Sequence, residues 1–193
     1  AGVPGEDAAG IQTAVALLRT VGGDESHKMT GKTVVIGGGN VAIDAARVAL
    51  RCGSSDVTMV CLEPREKMPA SAEEIAEAEE EGTAIRCGYG PKEFLTKDGH
   101  VCGVVLKRCT GLYDAEGRFA PTYDESVTIT LPCDNVVLSI GQCIQWGNLL
   151  DGEAVQLGRG QGAVADAMTY QTAQSDILSL IHISEPTRPI SIS

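Results

Sequence analysis

Aromatic residues are scarce in this chain, 4% of 193 positions. So few rings exclude the stacked-base platforms that bind single-stranded nucleic acid. Positive charge is also short: 15 Lys and Arg stand against 26 Asp and Glu, giving a formal net charge of -11 and a pI near 4.6. Such a surface repels phosphate backbones and anionic lipid, so neither nucleic acid nor a membrane is an expected partner. No apolar run reaches the roughly 18 to 20 residues that span a bilayer, and no basic segment followed by an apolar stretch opens the chain. A soluble, cytoplasmic protein is expected. The spacing Cys-x-x-Cys is missing as well, although Cys52, Cys61, Cys87, Cys102, Cys109, Cys133 and Cys143 are present. That excludes zinc ribbons, thioredoxin-type redox pairs and a complete iron-sulfur ligand set within this chain. No metal ligand is nominated, and the thiols are expected to stay reduced and behave as small hydrophobes.

What the chain does have is glycine, 23 residues, with 43% hydrophobic and 21% charged positions. The last two values are those of an ordinary globular protein, and the length suits one core or parts of two. Thr33 to Ile36 is a short β-branched apolar run of the kind that forms a strand buried on both faces. Asn40 to Cys52 carries Val41, Ala45, Val48 and Ala49 at helical spacing, and Gly53 ends it as a C-terminal cap. Asp56 to Leu62 reads as a second buried strand, so residues 33 to 62 form one right-handed β-α-β unit. Ser71 with Glu74 predicts a capping box, opening a helix that runs to Glu81 and stops at Gly82. Its glutamates, Glu73, Glu74, Glu77, Glu79, Glu80 and Glu81, read as a solvated face rather than a docking patch. A helix is also predicted near Gly10 to Leu18. Ala84 to Cys87, Val101 to Lys107 and Ser126 to Leu131 are predicted as strands of an antiparallel meander, with turns at Lys97-Asp98-Gly99 and Ala115-Glu116-Gly117. Asn135 to Ile140 is a further buried strand, ended by Gly141.

The chemically informative stretch is Gly37-Gly38-Gly39-Asn40-Val41-Ala42, a G-x-G-x-x-A pattern between a predicted strand and a predicted helix. Gly37 permits a sharp turn, Gly39 leaves room for a diphosphate to approach the backbone, and Ala42 lets the helix pack close to the sheet. The unpaired amides and partial positive charge of the helix N-terminus then face the phosphates. The bland alternative is a glycine-rich turn needed only for packing. Glu63, at the end of the second strand, lies near the usual spacing of about 20 residues beyond the glycines. A carboxylate there accepts hydrogen bonds from a ribose diol and repels a 2'-phosphate, which favours NAD(H) over NADP(H). Arg65, two residues on, is the candidate that would pair with a 2'-phosphate instead. The fold class is therefore α/β, a Rossmann-like NAD(P)-binding domain carrying an antiparallel β meander.

Several segments together resemble the small (beta) subunit of bacterial glutamate synthase and related FAD-dependent pyridine nucleotide oxidoreductases. They are Val3-Pro4-Gly5-Glu6-Asp7, Val35 to Arg47, Arg65-Glu66-Lys67-Met68-Pro69-Ala70, Glu80-Glu81-Gly82, Ser139-Ile140-Gly141-Gln142 and Thr169-Tyr170-Gln171-Thr172. The resemblance implies an NAD(P)H domain inserted into an FAD domain, with hydride passing from nicotinamide to flavin. Electrons would leave through iron-sulfur clusters, held in a missing N-terminal region or by a partner, to an acceptor such as a glutamate synthase large subunit. It further implies that residues 1–29 end the first part of the FAD domain and that 30–138 form the nucleotide domain. Residues 139–177 would re-enter the FAD domain, which is incomplete here, with Ile140 and Gly141 at the return crossing near both cofactors. Many relatives place two arginines where this chain has Leu62-Glu63, a departure that agrees with NAD(H).

The chain opens at Ala1 without a methionine and reads as the middle of a longer protein. Its end, from Leu178 to Ser193, resembles a translated sequencing adapter and is set aside as an artefact. The protein of origin is then expected to bind FAD, and the fragment alone is expected to be inactive. No catalytic side chain is nominated, because hydride transfer between stacked rings needs orientation rather than an acid or base. A nucleotide-sensing module without turnover is the alternative; a cysteine-paired disulfide reductase is disfavoured by the absence of Cys-x-x-Cys.

Overall fold

The computed structural model describes residues 2–24, 26–141, 146–158 and 161–179. Two compact units result, Ala1–Gly141 and Gln142–Ser193. The first holds every named helix and strand. Its elements are β1 (Ile11–Thr13), α1 (Ala14–Gly23), β2 (Lys32–Ile36), α2 (Asn40–Arg51), β3 (Asp56–Cys61), α3 (Ala72–Glu80), β4 (Ala84–Cys87), β5 (Tyr89–Lys97), β6 (His100–Tyr113), β7 (Phe119–Pro132) and β8 (Asn135–Leu138).

A five-stranded parallel sheet in the order β1-β8-β2-β3-β4 forms the centre, and β5-β6-β7 make a separate antiparallel sheet. Alternation along the central strands explains how both faces are covered. Val35, Val57, Met59 and Val137 point into a core shared with Leu17 of α1, Ile43 and Ala46 of α2, and Ile75 and Ala78 of α3. Val34, Ile36, Val60 and Val136 point the other way, against Phe94, Val104 and Leu106 of the antiparallel sheet. The α/β class with its meander is thus the observed architecture, a three-layer arrangement of helices, parallel sheet and antiparallel sheet.

Three local expectations differ from the structure. The helix expected from Gly10 begins only at Ala14: Ile11 to Thr13 form a strand paired with Val136 to Leu138, and the Thr13 side chain caps the helix by accepting from the Ala16 amide at 3.2 Å. Available pairing at the sheet edge outweighs a weak helical pattern there. Ala84–Cys87, assigned above to the meander, is instead a parallel edge strand in register with Thr58 to Cys61. The meander is completed by Tyr89–Lys97, where Gly90 and Pro91 obscure the strand signal. The turn at Asp98-Gly99 is as expected, both residues having positive φ (53° and 78°), the geometry of a two-residue hairpin turn.

Half of the capping box forms. Ser71 Oγ accepts from the Glu74 amide at 3.3 Å, whereas the Ser71 amide donates to Asn40 Oδ1 at 3.0 Å instead of to Glu74. Ser71→Ala is expected to lower stability by about 1 kcal/mol, measured as the shift in urea midpoint at constant slope.

The glutamates of α3 are not all solvated. Glu77 and Glu81 pair with Arg47 of α2 at 2.7 and 2.5 Å, Glu81 also reaches Arg51 at 2.6 Å, and Glu79 pairs with Arg65. Hydrogen bonds from Arg47 and then Arg51 hold the Glu81 carboxyl below its usual 4.5. A lowered folded-state value means that the unfolded chain binds the proton more readily. The contribution is therefore complete above the usual carboxylate range and is lost as pH falls through the depressed value. Denaturant midpoints followed from about pH 5 downwards should fall more steeply in the parent than in Glu81→Gln.

The described cysteines are all free, and burial pushes the Cys133 thiol up to about 12 and raises the Cys61 thiol further. Cys143 and Gln142 lie outside the described residues, as do residues 180–193 of the adapter-like tail. Among the described residues no helix is long and apolar enough to cross a membrane, and no group of His, Cys, Asp and Glu is arranged to hold a metal ion. Residues 1–29, expected in another domain, contribute β1 and α1 to the first unit, so the expected 30–138 segment lies inside a larger compact body. The second unit is built of turns: Leu157 bridges Ala163, Gln171 bridges Leu178, and Asp166 Oδ1 accepts from the amides of Met168 and Thr169, each at 2.9 Å.

Candidate functional site

The C-terminal ends of β2, β3 and β8 open into a cleft of about 610 Å³. Ligands of open parallel sheets settle at such an edge, where the chain leaves each strand. The glycine run forms its floor. Gly37 continues the ladder, its amide donating to the Val60 carbonyl at 2.8 Å, and then turns with φ of +151°. A Cβ on Gly37 would stand 2.6 Å from the Ser139 carbonyl oxygen and 3.2 Å from the Ala42 Cβ, so packing alone demands glycine there. Gly38 is confined by Cys61 and by the Glu63 carboxylate, each 2.9 Å from where its Cβ would be.

Gly39 is different. Its backbone has the ordinary extended values φ -93° and ψ 175°, it caps α2 without a side-chain hydrogen bond, and a Cβ would meet nothing within 4 Å. Neither strain nor crowding within the protein calls for glycine at this point. In the first turn of α2 the Ala42 amide is taken by the Gly39 carbonyl at 2.9 Å, which leaves the Asn40 and Val41 amides without a carbonyl partner inside the helix, and the helix dipole adds partial positive charge beside the same open space. The residues present therefore fit an anionic group laid against bare backbone. Packing accounts for glycine at Gly37, whereas at Gly39 the missing side chain leaves the N-cap backbone open to the cleft.

Gly37, Gly38, Gly39, Glu63, Ile140 and Gly141 all line this cleft. Glu63 is held through its backbone, its carbonyl accepting from the Gly88 amide at 3.1 Å. The other expected site residues are elsewhere. Asn40 ties α2 to the segment before α3 through Ser71, Val41 is 37% exposed on the helix, and Ala42 is fully buried beneath the turn. Arg65 is engaged by Glu79 and borders an adjacent hollow of about 340 Å³ with Leu62, Pro64, Cys87 and Arg108. The opposite wall was not foreseen: Tyr89, Pro91, Lys107, Phe119, Pro121 and Tyr123 come from the antiparallel sheet. Nothing local in the sequence marks them, because only the docking of the two sheets brings them to the glycine turn.

A parallel sheet crossed at its C-terminal edge by a glycine turn and a helix N-terminus defines a nucleotide-binding α/β protein. The chain belongs to the pyridine nucleotide-disulphide oxidoreductase family, whose model matches residues 1–179. Among curated relatives, the NADP(+)-dependent formate dehydrogenase subunit beta of Moorella thermoacetica is 36% identical over 89% of this chain and 25% of its own length. The glutamate synthase (NADPH) small chain of Azospirillum brasilense is 32% identical over 68% of this chain and 30% of its own length. The chain thus spans a third or less of these relatives, and the resemblance read from the sequence is borne out. Among solved structures, the thioredoxin reductase of T. acidophilum superposes with a TM-score of 0.65 at 19% identity, covering 92% of this chain and 51% of that one. This likeness establishes the fold.

Proposed function

We propose that the first unit contains the pyridine-nucleotide module of a flavin-dependent oxidoreductase in the manner of the glutamate synthase small subunit. Residues 30–138 would hold the dinucleotide, and 1–29 with 139–177 would belong to an FAD-binding domain completed by sequence outside this chain. When bound, the two cofactors supply the chemistry, a hydride passing from nicotinamide C4 to flavin N5 and electrons moving on to iron-sulfur centres and a large-subunit-like acceptor. The chain's own residues bind and orient. Gly39 and the α2 amides receive the diphosphate, Glu63 reads the adenosine ribose, and Ile140 and Gly141 border the end of the cleft where nicotinamide would meet flavin. Free thiols at every described cysteine fit a reducing cytoplasm.

For the nucleotide we propose NADH in preference to NADPH. The relatives named above carry NADP in their names, but here the carboxylate of Glu63 lines the cleft while Arg65 is occupied by Glu79. The observation that carries the function is the open space at Gly39, the N-cap of α2, which lines the cleft and leaves its backbone bare toward it. Calorimetric titration of the chain with NADH and NADPH tests it. Saturable binding with NADH the tighter ligand is expected; heat from neither nucleotide would overturn the reading.

A further inference from the structure

Of the charged side chains lining the cleft among the described residues, Glu63 is the anion and Lys107 the cation. Lys107 arrives from β6, on the wall opposite the glycine turn. Its register partner is Gly90, where a Cβ would lie 2.7 Å from Leu62 Cδ2 and 3.0 Å from Tyr123 Cε1, so this part of the antiparallel sheet abuts the segment carrying Glu63. The Lys107 ammonium sits 4.3 Å from the centre of the Tyr123 ring and 2.7 Å from Glu125 Oε1. Contact with the ring face limits the freedom of an otherwise flexible side chain. Glu125 has a second cation available, Lys92 at 3.1 Å, so it keeps a partner when Lys107 turns away.

A dinucleotide brings a diphosphate with two negative charges into a protein whose own net charge is -11. Helix amides supply partial charges, and a cationic side chain on the opposite wall would add a whole one. We propose that Lys107 is a cationic ligand of the bound dinucleotide's diphosphate, delivered by the antiparallel sheet, and that Glu125 competes with the phosphates for it. The inference rests on the nucleotide-binding function proposed above and adds the far wall of the cleft to the binding machinery. It also assigns opposite signs to two neighbouring residues, which a purely structural ion pair would not do.

The test is fluorescence titration of the full chain with NADH and with NADPH, at low and at physiological salt, with thermal unfolding as a check on folding. Lys107→Met is expected to weaken both nucleotides by about fivefold and to flatten the salt dependence, in keeping with a partly exposed ion pair. Glu125→Gln is expected to tighten both. Unchanged affinity in Lys107→Met, a loss confined to NADPH, or weaker binding in Glu125→Gln would each overturn the assignment. Failure of the parent chain to bind either nucleotide would instead remove the function on which it rests, so the two failures are told apart by the parent titration alone.

Discussion

Gly39→Val is expected to weaken NADH binding by about tenfold or more while the chain keeps its fold. The extended backbone at this position accepts a β-branched residue, and the new Cβ would enter empty space. The cost to the free protein is then the loss of a tolerated helix cap, about 1 kcal/mol or less. With nucleotide present, the isopropyl group occupies the volume that a diphosphate needs to reach the α2 amides. Gly37→Val is the contrasting control. There the added Cβ overlaps the Ser139 carbonyl oxygen at 2.6 Å, and a φ of +151° strains any L side chain, so the expected result is a loss of folded protein before any loss of affinity. Circular dichroism with NADH titration separates the two outcomes. A Gly39→Val chain that binds like the parent would remove the diphosphate from this site.

The positions of these two glycines show what could be read before the fold was known. The strands β2, β3 and β8 were legible because a strand buried on both faces must be largely apolar, although β3 ends at Cys61 rather than Leu62, and β8 at Leu138 rather than at Ile140, which is exposed. The turn-helix join was legible for the same reason that it is useful: small residues at these fixed offsets answer a specific steric demand, close approach of backbone to sheet or to ligand. Ile11 to Thr13 was hidden, because three residues carry too little pattern to outweigh the helix that follows, and their pairing with β8 joins positions far apart in sequence. The identity of Ala84 to Cys87 as a parallel strand depended equally on a distant partner, β3.

The cleft divides along the same line. Its floor is a local object, Gly37 to Gly39 with Glu63, and the sequence pattern reaches it. Its far wall is a product of docking, in which Tyr89, Lys107 and Tyr123 meet the glycine turn because Phe94, Val104 and Leu106 pack onto Val34, Ile36 and Val60. Burial of these apolar residues fixes the position of the wall, while the residues exposed by that packing determine what the cleft can hold. Arg65 illustrates the converse. Sequence spacing nominates it for a 2'-phosphate, yet an acidic helix whose charges looked like plain solvation takes up its guanidinium through Glu79.

That capture leads to the second large effect, expected for Glu63→Arg. In the parent, a carboxylate at the ribose end accepts from a diol and repels a 2'-phosphate; a guanidinium there would reverse both preferences. One charge-assisted bond gained with NADPH, at about 1.5 to 3 kcal/mol, by itself corresponds to a change in the affinity ratio of roughly ten- to a hundredfold. Two features limit the size. Glu79 already pairs with Arg65 on the adjoining segment and stands ready to attract the new arginine, and the Glu63 carboxylate packs close to Gly38, so a longer side chain must leave that contact. Combining Glu63→Arg with Glu79→Gln is therefore expected to give a larger shift than Glu63→Arg alone, because the acidic competitor is gone and Arg65 is released toward the same phosphate. Parallel titrations of the parent and both variants with NADH and NADPH provide the ratio, and a ratio unmoved by either variant would exclude Glu63 as the residue that distinguishes the two nucleotides.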